Sequence, residues 1–481
     1  MDTLVIGAGF GGLATALTLA EAGVPVLLAE ALRYPGGCAS SFTKGGHRFE
    51  TGATLFSGFG DSGLMTRWIQ RHKLPVQVER LDPLITLRAP GLELPITADR
   101  GPVVEHLAGL AGDKAEGVRR FFAAQERIAG LLWELFDDPE LLPPIGPSAL
   151  LRHLGRSPRY LPLLRWIGEP LVALLRHHGV ADVAPLRLYL DALCQITVQA
   201  SSEQAEAPFA LGAMDYCFRG TAHIHGGIGE LAQALADAVV AQGGELRLSA
   251  RVKAIEPVAG GFEVQLRGER VRCRRVVANL LPGALQSLLP AELPSLTSLS
   301  EQVQRGWSAV MLYLVVDDHP GLPRVPFHLQ LIQDPGAPLR EGNHLFVSVG
   351  GVGEQPGTHR TVTVSTHVGL EGFRALGERQ GARVAEIQAR MRAGLEAMAP
   401  QVVERVVQVY PASPRTWERF TRRPGGAVGG IPRVAGLQNY RGMWPSPVMP
   451  GLHLVGDSVF PGQSTLATAL GGLKLAQRLI A

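Results

Sequence analysis

DTLVIGAGFGGLATALTLAEAGVPVLLAE, at residues 2–30, is the stretch that decides the fold. Its apolar runs predict strands at residues 3–6 and 24–29, and the Ala- and Leu-rich segment between them predicts a helix. The turn before that helix carries glycines at the G-x-G-x-x-G spacing: Gly7, Gly9 and Gly12. They permit a tight turn, close approach of the backbone to a pyrophosphate, and close packing of helix on strand. Glu30 follows at about the 20-residue spacing of an acid that binds a ribose, so the stretch predicts an adenine-dinucleotide site.

Composition excludes several classes of protein. The chain of 481 residues is long enough for two or three domains, and its net charge of +3 argues against a nucleic-acid-binding protein. The cysteines are scattered: Cys38, Cys194, Cys217 and Cys273. Because no CxxC pair or Cys/His ligand spacing exists, neither a disulfide framework nor a metal site is predicted. His177-His178 and His223-x-His225 lack nearby carboxylates in the sequence and are interpreted as surface or pocket histidines.

The chain offers no predicted membrane span or signal peptide. Residues 3–20 are uncharged, but they contain the glycine fingerprint and follow Asp2 instead of a basic segment. No other stretch of about 18 or more apolar residues is free of charge. The scattered cysteines fit a reducing compartment.

Three separated clusters each predict strand, glycine turn and helix. After the first, Pro35-Gly36-Gly37 and the alternating run at 42–54 suit a chain lying along an extended ligand, which favours a flavin dinucleotide over a nicotinamide one. The second cluster, at 225–256, predicts a helix and then a strand at 246–252. The third predicts a strand at 452–455, then Gly456-Asp457 and a helix from near Ser464. Asp457 can accept hydrogen bonds from sugar-alcohol hydroxyls, and the free amides of that helix can stabilise a reduced flavin.

These clusters predict an α/β fold with a Rossmann-type FAD-binding domain assembled from discontinuous segments: 1–85, 216–285 and 431–481. The remaining segments, 86–215 and 286–430, would form the substrate domain. The first is predicted to be mostly helical. The second carries strand candidates and a following helix: 309–316, 328–332, 344–349, 361–367 and 382–398.

The clusters together resemble the carotenoid desaturase/isomerase family, the phytoene-desaturase-like branch of the flavin amine oxidase superfamily. The resemblance runs from VIGAGFGGLATALTLAEAG through PGGCASSF, GHRFETGAT and GGIGELAQAL to GLHLVGDSVFPGQSTLATALGG. The ASPRTWERFTRRPGGAVGGIPR run at 412–433 is most similar to the bacterial carotenoid 3,4-desaturases. The family implies non-covalent FAD and a long apolar polyene, a carotenoid, taken from a membrane.

The resemblance also implies roles for individual residues. Gly7, Gly9, Gly12 and Gly37 would hold the pyrophosphate. Glu30 would bind the adenosine ribose, Val252 the adenine, and Gly456-Asp457 the ribityl chain. The residues expected beside the isoalloxazine are Ala53, Thr54, Gln463, Ser464 and Thr465.

Cys38 departs from the family pattern, since many relatives have an arginine there that faces the diphosphate. Arg33 is a candidate substitute for that charge. For Cys38 itself, a small thiol packed against the cofactor and a reactive thiol are both open, and packing is the preferred interpretation.

Residues 145–178 combine leucines and aromatic residues with several arginines against one acid, Glu169. This composition suits contact with an anionic membrane surface, and it equally suits a helical cap with arginines in water. The prolines in this segment are expected to interrupt any long helix: Pro158, Pro162 and Pro170. A cytoplasmic protein associated peripherally with the membrane is the expectation that the resemblance implies.

No Ser/His/Asp set or carboxylate pair stands out, which agrees with chemistry carried by a flavin. The catalytic base stays unassigned, and three residues are weak candidates: Glu169, Glu418 and His225. No second nucleotide fingerprint is present, so oxygen or a quinone is the expected electron acceptor. The first hypothesis is 3,4-desaturation of an acyclic carotenoid. A carotenoid cis–trans isomerase using reduced FAD and a non-catalytic lipid carrier on the same fold are the alternatives.

Overall fold

The computed structural model describes residues 1–52, 54–143, 145–440, 443 and 446–481. The strands within them are β1 (Thr3–Ile6), β2 (Val26–Ala29), β3 (Ser41–Lys44), β4 (His47–Glu50), β5 (Val78–Glu79), β6 (Ile85–Ala89), β7 (Leu92–Ile96), β8 (His223–Ile224), β9 (Glu245–Arg247), β10 (Ala254–Val258), β11 (Gly261–Leu266), β12 (Glu269–Cys273), β13 (Arg275–Ala278), β14 (Trp307–Asp317), β15 (Phe327–Ile332), β16 (His344–Val349), β17 (His359–Gly369), β18 (Val406–Ala412) and β19 (Leu452–Leu454).

The α-helices are α1 (Phe10–Glu21), α2 (Leu64–His72), α3 (Arg100–Leu110), α4 (Ala115–Asp137), α5 (Pro147–Leu164), α6 (Leu171–His177), α7 (Ala184–Thr197), α8 (Ala207–Met214), α9 (Ile228–Ala241), α10 (Pro282–Gln286), α11 (Pro294–Gln304), α12 (Leu370–Ala375), α13 (Gln380–Met398), α14 (Pro400–Val403), α15 (Pro414–Thr421) and α16 (Thr465–Ile480).

A parallel sheet in the order β19-β13-β1-β2-β9 forms the first half of the molecule. β1 and β2 are buried throughout, as expected of a parallel sheet covered on both faces. Helices α1, α9 and α16 supply the apolar core on one side of it. The strands come from all three predicted clusters, which confirms that distant segments build one α/β unit.

A mixed sheet in the order β18-β14-β17-β16-β15-β6-β7 forms the second half. The strands predicted at 309–316, 328–332, 344–349 and 361–367 are confirmed as β14 to β17, and α13 packs on their apolar face. The prediction of a mostly helical 86–215 is confirmed by helices α3 to α8, although the β6–β7 hairpin at its start joins this sheet. Helices α3 to α8 form a separate apolar core beside the sheet.

The strand predicted at 246–252 was wrong beyond Arg247. Ser249 adopts a left-handed conformation with φ of 56°, which turns the chain out of the strand. The Ser249 and Ala250 amides then donate to the carbonyls of Leu32 and Glu30, each at 2.8 Å. The alternating side chains are therefore part of a turn that lies along the end of β2.

The interruption predicted at Pro158 and Pro162 was also wrong, since α5 continues through both prolines. A proline inside a helix leaves the carbonyl four residues earlier without its amide partner. For Pro158 that carbonyl belongs to Leu154, and the Ser157 hydroxyl donates to it at 2.8 Å. A local side chain thus replaces the missing backbone hydrogen bond.

In the part of the chain that the structure describes, none of the helices combines the length and apolarity needed to cross a bilayer. The domain boundaries at 85/86, 215/216, 285/286 and 430/431 stay a prediction.

Candidate cofactor and substrate site

The first glycine loop is packed so closely that side chains cannot enter it. Gly7 has φ of +92°, and a Cβ built on Gly12 would lie 2.0 Å from the Gly7 carbonyl oxygen. A Cβ on Gly9 would lie 2.7 Å from Nδ2 of Asn279, whose amide also donates to the Gly7 carbonyl at 3.3 Å. The loop therefore presents bare backbone at the N-terminus of α1, which suits a phosphate group. Asn279, at the end of β13, was not found from the sequence.

Glu30 lies at the end of β2 and is buried. Its carboxylate accepts hydrogen bonds from the Ala8 amide at 2.7 Å and the Leu32 amide at 2.8 Å. Burial raises the pKa of Glu30, although these amide donors oppose the shift. Glu30 thus holds the glycine loop through the Ala8 amide, and it also lines the large cavity described below. Ribose binding stays its predicted role.

The second glycine pair lies directly against the first loop. Gly9 and Gly36 form a β-bridge, and the Gly36 amide donates to the Ala8 carbonyl at 2.7 Å. Gly37 has φ of +63°, and a Cβ built on it would lie 3.5 Å from the α-carbon of Gly9. Cys38 follows, packed beside the aromatic cluster of Phe49, Tyr313 and Trp417.

A cation from a distant segment, Arg423, lies in the same cavity as Cys38. Arg423 is ion-paired with Asp457 at 2.6 Å and donates to the carbonyls of Ala427 and Gly429. Burial lowers the pKa of Arg423, but the Asp457 carboxylate outweighs it and raises the pKa overall. Arg423 lines the cavity with Cys38, whereas Arg33 is exposed and does not. Arg33 therefore lies outside this cavity, and its proposed role as the substitute charge stays a prediction.

The C-terminal turn closes the site. Gly456 has φ of +111°, and Ser464 caps α16 by accepting from the Ala467 amide at 3.0 Å. Gln463 accepts a hydrogen bond of 2.6 Å from Gln199, at the end of the helical segment. This turn joins the cofactor loops to the helices of the other half of the molecule.

All of these segments line one cavity of about 910 Å³, at the upper end of the range of small-molecule sites. The predicted residues that line it are Gly7, Gly9, Glu30, Gly37, Cys38, Thr54, Val252, Gly456, Asp457, Gln463, Ser464 and Thr465. Gly12 lies behind the loop in the helix–strand contact. Ala53 lies outside the described residues.

The cavity continues from the glycine loops into the helical part of the molecule. There its walls are apolar and come from helices α4, α5 and α8 and the segments beside them: Trp133, Phe136, Leu142, Leu163, Ile167 and Phe209. A space of this kind suits a long hydrocarbon, because the burial of apolar surface is its main source of affinity.

The weak candidates for a base lie in different places. Glu418 lines the cavity but accepts a hydrogen bond from the Gly425 amide at 3.1 Å. Glu169 is exposed, and His225 pairs with Glu79 at 2.9 Å outside the large cavity. His367 also lines the cavity, and burial lowers its pKa to about 4, so it is neutral at physiological pH. Among the described residues, none group as ligands for a metal ion.

Comparison with known proteins agrees with this geometry. The chain matches the family of flavin-containing amine oxidoreductases over residues 10–480. It is 26% identical to a chloroplastic prolycopene isomerase of Arabidopsis thaliana, over 100% of this chain and 82% of that protein. It is 25% identical to a neurosporene-forming phytoene desaturase of Rhodobacter capsulatus, over 99% of this chain and 93% of that protein. An oxidoreductase from Methanosarcina mazei shares the fold, with a TM-score of 0.67 at 18% identity over 99% of this chain and 100% of that one.

The chain therefore belongs to the flavin-containing amine oxidoreductase family, and it is a flavoprotein of the carotenoid desaturase/isomerase type. Its cofactor is FAD. The bare backbone at Gly7 and Gly9 and the cation of Arg423 fit a diphosphate. The family match favours an enzyme over the lipid-carrier alternative.

Proposed function

We propose that this protein introduces a carbon–carbon double bond into an acyclic carotenoid, at the 3,4 position that the sequence resemblance indicates. The observation that carries the proposal is the single cavity in which the glycine loops meet a long apolar wall. A polyene end held in that wall would lie beside the cofactor loops, and the surrounding leucine and aromatic side chains would exclude water.

Bound FAD supplies the electron sink for hydride removal from the carbon–carbon bond. The chain itself positions both partners. The Gln463–Gln199 hydrogen bond holds the C-terminal turn against α7, so the cofactor end and the apolar end of the cavity keep a fixed separation. A nearby polar group must then take the second hydrogen as a proton.

The test is product analysis with FAD-loaded protein, under argon, with lycopene-type carotenoids and with or without a quinone. We expect a longer chromophore, with absorption at longer wavelength, that exceeds one product per FAD only when the quinone is present, because each oxidised FAD accepts a single hydride. Cofactor-free protein is the control and should give no product. An unchanged carotenoid in both conditions would contradict the proposal.

A cis–trans isomerase is the second candidate, and the prolycopene isomerase relative that spans this whole chain favours it. Isomerisation has no net redox change and consumes no electron acceptor, and in this alternative it uses reduced FAD. A poly-cis carotenoid that changes isomer under argon over many turnovers, with pre-reduced FAD and no quinone, would support this activity over desaturation.

We further propose that the protein takes its substrate at the cytoplasmic face of a membrane, with oxygen or a quinone as electron acceptor. One face of α5 lines the cavity through Leu163, while several of its leucines are more than half exposed: Leu150, Leu151, Leu154, Leu161 and Leu164. The arginines of α5 are paired with acids of α4 and the following turn, including Arg152 with Asp138 at 2.6 Å. The exposed leucines of α5 therefore support membrane contact more than its arginines do.

A further inference from the structure

A chain of hydroxyl groups leads out of the large cavity near the cofactor loops. Thr54 lines that cavity, and its Oγ1 lies 2.5 Å from Oγ of Ser348. Ser348 Oγ in turn lies 2.8 Å from Nδ1 of His328. All three side chains are buried, with His328 only 2% exposed. Hydrogen bonds of this kind, linked end to end, can pass a proton.

His328 opens on its other side into a second, small cavity of about 20 Å³. His223 faces the same cavity, and the two rings are 6.2 Å apart. Nε2 of His328 and Nδ1 of His223 are both buried without a protein partner. The cavity is large enough for one water molecule, which could satisfy both nitrogens.

The groups around this small cavity have unequal proton affinities. Burial lowers the pKa of His223, but the carboxylates of Glu354, Glu50 and Glu79 raise it overall, and Glu354 accepts from Nε2 at 2.9 Å. Burial and the neighbouring His223 charge keep the pKa of His328 well below its usual range. His328 therefore binds a proton less readily than the His223 ring that it faces.

Glu50 is the further titratable group that lines the small cavity beside His328 and His223. Burial raises its pKa to about 7, against the opposing effects of His223 and the Ile228 amide; Glu354 raises it and Arg48 lowers it. Near neutral pH, this carboxyl can both accept and release a proton. The other groups that face it across the cavity are His223, Glu354 and Arg48.

The outer side of the small cavity lies close to solvent. Arg48 lines it, is about one third exposed, and is paired with the partly exposed Glu230. On the other side, His223 is followed two residues later by His225, which forms a partly exposed pair with Glu79. Glu50 and His223 therefore lie next to side chains that reach the surface, Arg48 and His225.

We propose that Thr54, Ser348, His328 and the Glu50–His223 pair form a proton relay between the flavin cavity and the surface. The inference rests on the proposed function for its direction: one substrate hydrogen leaves as a hydride with two electrons to FAD, and the neighbouring one leaves as a proton. The electron pair of that second C–H bond becomes the new π bond. The proton passes from Thr54 through Ser348 to Nδ1 of His328, and Nε2 of His328 releases one to Glu50 across the small cavity. Thr54 thus lies at the end of this path next to the large cavity, and Glu50 and His223 lie at its outer end.

The test uses the FAD-loaded protein without any carotenoid. The flavin is reduced by a laser flash with 5-deazaflavin and EDTA under argon, and a pH-indicator dye follows proton uptake. The relay predicts that His328→Gln and Ser348→Ala slow this uptake by on the order of 100-fold, without changing the final number of protons. Added imidazole should restore the rate in His328→Ala.

His344→Gln is the matched control, because His344 is equally buried in the neighbouring strand β16 and does not line either cavity. It should leave the uptake rate unchanged. Ser348→Ala keeps the test informative if the His328 variants fail to fold, as judged by circular dichroism and retained FAD absorbance. Equal rates in wild type and Ser348→Ala, or an equal loss in His344→Gln, would overturn the relay.

A parallel measurement of carotenoid conversion separates the two proposals. Slow proton uptake in the variants, together with no carotenoid conversion by the wild type, would keep the relay and refute the proposed function. Carotenoid conversion that is equal in wild type and relay variants would refute the relay alone.

Discussion

Arg423 is the candidate for the cation that Cys38 does not supply beside the second glycine pair. Here the guanidinium reaches the same cavity from the segment after α15, held by Asp457 and two backbone carbonyls. Its burial means that the charge acts in a low-dielectric setting, where an anion such as a diphosphate gains most from it.

We expect Arg423→Gln to weaken FAD binding roughly 10- to 100-fold, because a charged hydrogen-bond partner of the cofactor is lost. Fluorescence quenching during titration of the cofactor-free protein with FAD measures this directly. Arg33→Gln is the control and should bind FAD like the wild type. A weaker Arg33→Gln alongside a normal Arg423→Gln would contradict the assignment.

Arg423→Gln also leaves the partly buried Asp457 carboxylate without its partner, which should cost on the order of 1–3 kcal/mol of stability. The double variant Arg423→Gln/Asp457→Asn removes both charges and should regain most of that free energy of unfolding. Its FAD affinity should stay low, because both the cation and the predicted ribityl ligand Asp457 are changed. Recovery of both properties together would mean that Arg423 acts only through the fold.

At the scale of elements, local patterns predicted most helices and strands but not their long-range partners. The alternation that predicted β14 to β17 is a property of each strand alone, and so is the glycine spacing before α1. The turn at Ser249 and the continuous α5 depend on single hydrogen bonds, to Leu32 and from Ser157, that periodicity does not report. Local sequence patterns therefore predicted whether a segment is a helix or a strand better than they predicted the residues at which it ends.

The site residues could be predicted where a single sequence motif carries them. They could not be predicted where the contact joins residues from two separate motifs. Glycine loops and the turn at Gly456 carry recognisable spacings. The pairs Arg423–Asp457 and His223–Glu354 join residues 34 and 131 positions apart, so no window of sequence contains both. His223 was interpreted as a histidine without a carboxylate partner for this reason.

Helix α5 carries a prediction of its own. Changing Leu151, Leu154 and Leu161 to serine should reduce binding to lipid vesicles, because each fully buried leucine contributes about 1.5–3 kcal/mol. Co-sedimentation with neutral phosphatidylcholine vesicles measures this, and added anionic lipid should change the result little because the α5 arginines are already paired. The control is Leu110→Ser, an exposed leucine at the end of α3. Vesicle binding that survives the triple change would refute α5 as the membrane contact.

At the scale of the whole molecule, the N- and C-terminal segments depend on each other. A Cβ on Gly472 of α16 would lie 2.1 Å from the Gly11 carbonyl oxygen of α1, so the two helices cross with their backbones almost in contact. This crossing brings the turn at Gly456 to the first glycine loop, as the shared neighbour Asn279 shows. A ligand that touches both segments should therefore stabilise the entire fold.

FAD should raise the unfolding midpoint of the cofactor-free protein, by linkage, with about 2.7 kcal/mol of added stability at a free concentration 100 times the Kd. FMN lacks the adenosine half and so cannot use the predicted contacts at Glu30 and Val252. At equal concentration it should therefore give a clearly smaller shift in a thermal or urea unfolding experiment. An equal shift with FMN would show that the adenosine half of FAD gains nothing from Glu30 and Val252, and the predicted orientation of the cofactor would then be wrong.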